Sequence, residues 1–445
     1  MERPEVRFAR AADGAYLAYQ VLGEGPTVLF WQEDSFAMVD ELWDSPQELA
    51  WHEGLAAFAR VIIYDRRGTG LSSRNVAPGS LEVQVQDTLT VLDAEGIERA
   101  CFGGFLESCA PNVLLAASQP DRVQALVWAL PSPRSGVEPD YPWGADATYM
   151  EAERVLLERW GTEGWARDYV ALNAGVLGGA WSTESYVRFL ARVSRRTCTP
   201  DVAMELARIW LETDVRDVLP AVQAPMLTID FGLESQRELA AYIAARAPRT
   251  EAYYLPGGTM EVEHFEQMHD AIRRFVGAER APVGLDSVLA TVLFTDIVGS
   301  TELAASVGDI RWKELLADHD RRARAELERF HGVYVDSTGD GLLARFDGPA
   351  RAVRCARSIA DAVRPLGLEI RAGCHTGEIE LDGDQIRGLA VHIGARVAAT
   401  AGTGEVLTTS TVKDLTAGAG FTFEDAGEHA LKGVPDRWRL YRVVD

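Results

Sequence analysis

Two aspartates carry the clearest chemical signal in the sequence. Asp296 ends the apolar run Val292-Leu293-Phe294-Thr295-Asp296, and a small-residue turn, Ile297-Val298-Gly299-Ser300-Thr301, follows it. A strand that delivers a carboxylate to a turn opening a helix sets it beside free backbone N–H groups, which suit a polyphosphate. Asp340 lies in Asp336-Ser337-Thr338-Gly339-Asp340-Gly341, between strand-like runs at 332–335 and 342–346. Glycine on both sides lets a tight hairpin present that carboxylate with no flanking Cβ. Two carboxylates converging from adjacent strands make a hard-oxygen site for Mg²⁺ or Mn²⁺. Either piece alone has a plain structural explanation, as a helix cap or a turn; the two together point to a metal–phosphate site.

Further polar residues follow in order: Arg371-Ala-Gly-Cys-His375-Thr-Gly377, then Gly388-Leu-Ala-Val-His392-Ile-Gly-Ala-Arg396. His392 and Arg396 are one helical turn apart, so both can face one cleft. Lys432, in Ala430-Leu431-Lys432-Gly433, reads as a lysine at a strand–turn junction.

The elements that must position these residues fall into two parts. Residues 1–276 read as α/β, with strand candidates at 16–21, 27–31, 60–65, 100–105, 123–130, 226–231 and 251–255 and helices between many of them, such as 111–119. That is the layout of a mostly parallel sheet covered on both faces. The stretch from about 135 to 220 is helical in pattern and holds Trp143, Trp160, Trp165, Trp181 and Trp210, five of the eleven tryptophans. It reads as a cap whose aromatic residues either line an apolar ligand pocket or pack cap against core. Residues 277–287 carry the Pro- and Gly-containing grammar of a linker. From 288 to 445 a second unit alternates strands (291–294, 342–346, 369–374) with helices, the longest expected over 311–330. Trp312, Leu315, Leu316, His319, Ala323, Leu327 and Phe330 repeat there at 3–4 spacing, the mark of a core-facing stripe.

Composition narrows the function. The 445 residues are 47% hydrophobic and 25% charged, enough to bury more than one core. A formal net charge of -23 argues against broad binding to nucleic acid or anionic membranes. No apolar stretch approaches the 18 or more residues of a membrane span, and no targeting segment is visible. The five cysteines, Cys101, Cys109, Cys198, Cys355 and Cys374, are scattered without CxxC spacing, so a reduced, cytoplasmic setting is expected.

The first part resembles the α/β-hydrolases. Tyr64–Ser73 (YDRRGTGLSS) looks like the family loop after an early strand, and Pro120–Val127 (PDRVQALV) like the segment after the nucleophile helix. The family elbow is G-x-S-x-G. Family spacing puts Leu106 at the nucleophile position, in Gly104-Phe105-Leu106-Glu107-Ser108. Leucine has no nucleophilic atom, and a shifted elbow using Ser108 is the alternative. Asp230 or Glu234 would supply the acid, and the base is expected near 258–260, where the sequence reads Gly258-Thr259-Met260 and the nearest histidine is His264. A triad needs a nucleophile, a base and an acid in contact, so this part is expected to be a catalytically degenerate module that senses a ligand, possible ligands being small apolar molecules, or that serves a structural role.

The second part resembles the class III nucleotide cyclases: FTDIVGST, TGDG, RAGCHTGE and LKG are family pieces in family order. Joined to a hydrolase-like domain, it is similar to multidomain cyclases of mycobacteria and other actinobacteria. The resemblance implies an α+β domain with a ferredoxin-like core. It implies that Asp296 and Asp340, helped by the Ile297 carbonyl, hold two divalent cations, Mg²⁺ or Mn²⁺. Arg396 matches the transition-state arginine, and Lys432 the lysine that grips the triphosphate. His392 stands where the family usually has asparagine, Asp336 where adenylyl cyclases have a purine-selecting lysine, and Gln385 at its partner position. The sites of such enzymes form at a head-to-tail homodimer interface. The implied reaction is ATP to cyclic AMP and pyrophosphate. Asp336, an acceptor for guanine N1 and N2, keeps a guanylyl or weakly selective cyclase open. A degenerate nucleotide-binding module, and a hydrolase regulated by the second domain, are the other readings.

Overall fold

The computed structural model describes residues 2–33, 36–231, 234–255, 259–277, 287–337, 339–382 and 385–444. The chain divides into two compact units, Met1–Val283 and Gly284–Asp445. Between its end residues, the linker expected over 277–287 lies outside the described residues, as does Gly258.

The first unit is built on one sheet. Its strands are β1 (Arg7–Arg10), β2 (Tyr16–Leu22), β3 (Val28–Gln32), β4 (Arg60–Tyr64), β5 (Ala100–Phe105), β6 (Val123–Ala129), β7 (Met226–Asp230) and β8 (Thr250–Tyr254). The order is β1-β2-β4-β3-β5-β6-β7-β8, antiparallel across β1, β2 and β4 and parallel from there to β8. β3 to β7 are buried along almost their whole length, as expected of parallel strands covered on both faces. The covering helices are α1 (Pro46–Ala56), α2 (Leu81–Ala94) and α3 (Ala110–Ser118). Between β6 and β7 the chain leaves the sheet to form the cap: α4 (Ala147–Leu157), α5 (Glu163–Leu172), α6 (Ala174–Leu177), α7 (Glu184–Thr197) and α8 (Pro200–Glu212). Helices α9 (Glu234–Arg246) and α10 (Val262–Val276) complete the unit. The tryptophans divide their labour. Trp160 and Trp165 meet edge to face at 4.5 Å inside the cap's own core. Trp181 joins the core below it.

In the second unit the strands are β9 (Ser287–Ile297), β10 (Val333–Ser337), β11 (Leu342–Phe346), β12 (Ile370–Asp382), β13 (Gln385–Arg387), β14 (Val406–Thr409), β15 (Phe423–Ala430) and β16 (Arg437–Val443). The order is β10-β11-β9-β12-β14-β16-β15, with β13 paired to β12. The helices are α11 (Ser300–Val307), α12 (Asp309–Arg329), α13 (Pro349–Val363), α14 (Leu389–Thr400) and α15 (Ser410–Leu415). β9 and β12 are longer than expected because they pair with each other from Ser287↔Glu380 to Ile297↔Ile370.

Alternation sorts β9 onto two faces. Leu293 and Ile297 pack in one core with Ala323 and Leu327 of α12 and with Val353, Ala356 and Ile359 of α13. Ala290, Val292 and Phe294 pack in another with Ala390 and Ala398 of α14. Within the α12 stripe Leu315, His319, Ala323 and Leu327 are buried, while Trp312, Leu316 and Phe330 pack partly exposed. Two glycines let α14 lie close to the sheet: a Cβ on Gly394 would come within 2.6 Å of Val292 Cγ2, and one on Gly373 would strike the Ala398 backbone.

His375 of β12 is buried, with Nδ1 2.9 Å from Thr409 Oγ1 and its ring edge-on to Trp438 at 5.5 Å. Burial pushes its pKa down to about 3. The unfolded chain titrates this imidazole near 6.5, so between those values the unfolded chain binds a proton the folded one refuses. This contribution to stability is present above about pH 6.5 and is lost as the pH falls toward 3, at up to about 1.4 kcal/mol per pH unit. His375→Gln is therefore expected to flatten the acid side of the second unit's stability profile by about one proton. Urea midpoints of the two proteins between pH 7 and 4 check this; parallel profiles would contradict it.

Candidate active site

Asp296 lies one residue before the end of β9, on the face that carries Val292 and Phe294, and its register partner on β12 is Arg371. Both Arg371 Nε (2.9 Å) and Nη2 donate to Asp296 Oδ2. The third nitrogen, Nη1, reaches the carbonyl of Ala399 at 3.4 Å, in the last turn of α14. Carbonyls there have no partner within the helix and form the negative end of its dipole. Arg371 is thus held between a carboxylate and a helix C-terminus. Beyond Asp296, Gly299 takes a left-handed conformation (φ 65°) and α11 begins at Ser300 with no side-chain cap.

Asp340 sits in the turn joining β10 to β11. Leu342 pairs with Thr295, so this turn and Asp296 occupy the same end of the sheet. Asp340 also lines a polar cavity of about 290 Å³ with Ser337, Tyr334 and, from α12, His319 and Asp320. Burial lowers the pKa of His319 although Asp320 and Asp340 pull it up.

Among the described residues no group of three or more His, Cys, Asp or Glu side chains forms a metal cluster. Two carboxylates with the adjoining Ile297 carbonyl are a sparser set, but every donor is a hard oxygen, which fits Mg²⁺ or Mn²⁺. Asp296 already draws a cation, the Arg371 guanidinium, while staying about one-third exposed.

A second group forms on α14. His392 and Arg396 share its exposed face, and Arg396 Nε donates to the Lys432 carbonyl at 3.0 Å. Lys432 follows β15, anchored by Leu431, which is buried with Ile393 and Val397 of α14. Among the described residues no hydrogen bond or ion pair joins this group to Asp296 or Asp340. Asp336 lies on strand β10 itself, since pairing extends to Ser337↔Leu342. Asp336 and Gln385 are both exposed, while their neighbours Val335 and Ile386 are buried in one core cluster. Gln385 pairs with Asp382, at the far end of β12 from Arg371.

In the first unit the turn after β5 keeps a strained elbow. Leu106 has φ 47° and its carbonyl accepts from Trp128 Nε1 at 2.6 Å. Its side chain is 39% exposed and lines a cavity under the cap. Ser108 is buried, its hydroxyl donating to the carbonyls of Phe105 and, at 3.3 Å, Gln32. Met260 lines the same cavity as Leu106, whereas His264 bonds through Nδ1 to the Thr259 carbonyl at 2.9 Å. Asp230 is buried at the end of β7, and Glu234 is exposed at the start of α9. The structure brings Leu106 and Met260 to one cavity and leaves Ser108 and Glu234 outside it.

Two polar residues escaped the sequence-based assignment of roles. Arg371 stood in a recognised motif, but its partner follows from long-range register. Glu33 had no local signal; it accepts from His52 Nε2 at 2.9 Å beside the cavity.

Residues 286–444 match the family described as adenylate and guanylate cyclase catalytic domain. An uncharacterized protein of Mycobacterium tuberculosis is 28% identical over 178 residues, 38% of this chain and 46% of that protein. The chain spans less than half the length of the curated relatives it matches first. A solved hydrolase from Pseudomonas aeruginosa is 24% identical, covers 62% of this chain and 99% of its own, and superposes with a TM-score of 0.50. A bromoperoxidase from Bacillus anthracis covers 62% of this chain and all (100%) of its own, at 18% identity and a TM-score of 0.51. At these identities the two structures speak for the fold alone. The chain therefore joins an α/β-hydrolase-like domain to a class III cyclase-like domain.

Proposed function

We propose that the second unit is a nucleotide cyclase that converts ATP to 3′,5′-cyclic AMP and pyrophosphate, in a multidomain protein of the actinobacterial kind. The observation that carries this reading is the placement of Asp296 and Asp340 at one end of the sheet, beside the N-terminus of α11. In the reaction the ribose 3′-oxygen bonds to the α-phosphorus, the bond from that phosphorus to the bridging oxygen breaks, and the hydroxyl proton passes to solvent. Asp296, Asp340 and the Ile297 carbonyl would hold two divalent cations, which supply charge neutralisation and a more acidic 3′-hydroxyl when bound. Arg396 offsets charge growing on the phosphoryl oxygens, and Lys432 grips the triphosphate; such preorganised donors act most strongly where charge develops. His392 donates a hydrogen bond beside Arg396.

The separation of the two groups supports a homodimer. The carboxylates of one copy would face Arg396, Lys432, His392 and the base-reading pair Asp336 and Gln385 of the other, giving two sites related by a two-fold axis. A second reading, GTP as substrate, is favoured by the exposed Asp336 carboxylate, an acceptor for guanine N1 and N2.

Four outcomes test this. Asp296→Asn or Asp340→Asn should each lower cyclic nucleotide formation by at least about 100-fold with the fold intact; unchanged turnover in both would defeat the proposal. ATP and GTP supplied separately, with products resolved by chromatography, decide the base. Mixing Asp296→Asn with Arg396→Ala should restore up to about a quarter of wild-type activity through mixed dimers with one intact site; no recovery would argue against a shared interface. Finally, Arg371→Met should bind Mn²⁺ severalfold more tightly without nucleotide, since a partly exposed pair of this kind is worth on the order of 1 kcal/mol. Electron paramagnetic resonance of free Mn²⁺ reads that affinity directly.

A further inference from the structure

Independently of the cyclase reading, the first unit holds a cavity of about 150 Å³ beneath its cap. A cavity of roughly that size with apolar walls stays dry and accepts a molecule such as benzene. Here Trp51, Phe105, Leu130, Trp181, Met260 and Phe265 supply much of the wall. The roof is tied down. The Glu261 carboxylate accepts from the N–H groups of Gly179 and Ala180, the Met260 N–H donates to the Val176 carbonyl at 2.8 Å, and Gln47 Nε2 donates to the Ala180 carbonyl at 2.8 Å.

Glu33 is one of the few polar residues of this wall. Its partner His52 is fully buried, with Nδ1 2.7 Å from the Glu48 carbonyl and Nε2 2.9 Å from Glu33 Oε1. Both ring nitrogens face oxygen acceptors, so both carry protons. Burial opposes that charge most strongly, yet Glu33 and Glu48 together outweigh it and leave the pKa raised. Glu33 and His52 thus form a charge-balanced pair at the cavity wall. A carboxylate oxygen there accepts a hydrogen bond and repels an anion, and Glu48 adds a second acidic residue to the lining. Chemistry at the elbow is missing: Leu106 has no nucleophilic atom, Met260 has no basic one, and Ser108 donates inward.

We propose that the first unit binds, without hydrolysing, a small uncharged ring compound that donates one hydrogen bond to Glu33.

The full-length protein can be titrated by calorimetry with indole and with benzofuran, its isostere lacking the N–H. Indole should saturate with a Kd of about 1 mM or below, roughly tenfold tighter than benzofuran, as a hydrogen bond to a charged acceptor warrants. Glu33→Leu should erase that preference while both compounds still bind. Val176→Trp, at a half-buried wall position, should fill the cavity and weaken both at least about tenfold. No saturable binding, equal affinities in the wild type, or undiminished binding in a folded Val176→Trp protein would overturn the proposal. So would p-nitrophenyl acetate hydrolysis above the buffer rate that Ser108→Ala abolishes.

Discussion

The pairing of β9 with β12 is the constraint on which the second unit depends. It runs the length of both strands and sets Asp296 opposite Arg371. A slip of one residue would turn Asp296 to the other face, among Leu293, Ile297 and the α12–α13 core, where an unpaired carboxylate is strongly disfavoured. The same register puts Gly373 under α14 and brings the C-terminal carbonyls of that helix to Arg371. One ladder therefore fixes a carboxylate, its counter-ion and the helix that carries His392 and Arg396.

The first unit depends on burial more than on register. Its central strands are apolar on both faces, and the cap has a core of its own around Trp160 and Trp165, joined by Phe36 and Met38 from the segment after β3. This leaves the space between cap and sheet incompletely filled. Among the described residues that line it, the acidic groups are Glu33, paired with His52, and Glu48. A mostly apolar volume with few polar groups in its wall discriminates among ligands by shape and by a small number of hydrogen bonds.

Much of this was legible in the sequence. Central strands of both units stand out as short apolar runs, since burial on two faces leaves little room for polar residues. The two aspartates were legible because strand ends and glycine turns are local features. Other parts were not. Strands β13, β15 and β16 carry mixed, half-exposed sequences such as FEDAGEHA, and β16 is placed in the sheet by its pairing with β14, about 30 residues earlier. Asp336 reads as the start of a turn, but the hairpin to β11 extends the strand through it. The partner of Arg371 and the pairing of Glu33 with His52 are products of tertiary register and leave no local trace.

The elbow at Leu106 limits the chemistry open to this domain. A non-glycine residue at φ 47° is held by its surroundings, at a cost of roughly 1–3 kcal/mol, so the turn belongs to the scaffold and not to the side chain it displays. A serine placed there would be delivered into the cavity, with Met260 and no histidine among the described residues that line it. Acyl chemistry at this elbow thus needs at least two substitutions, a nucleophile at position 106 and a base near position 260. Until both are present, the elbow serves the cavity only as wall.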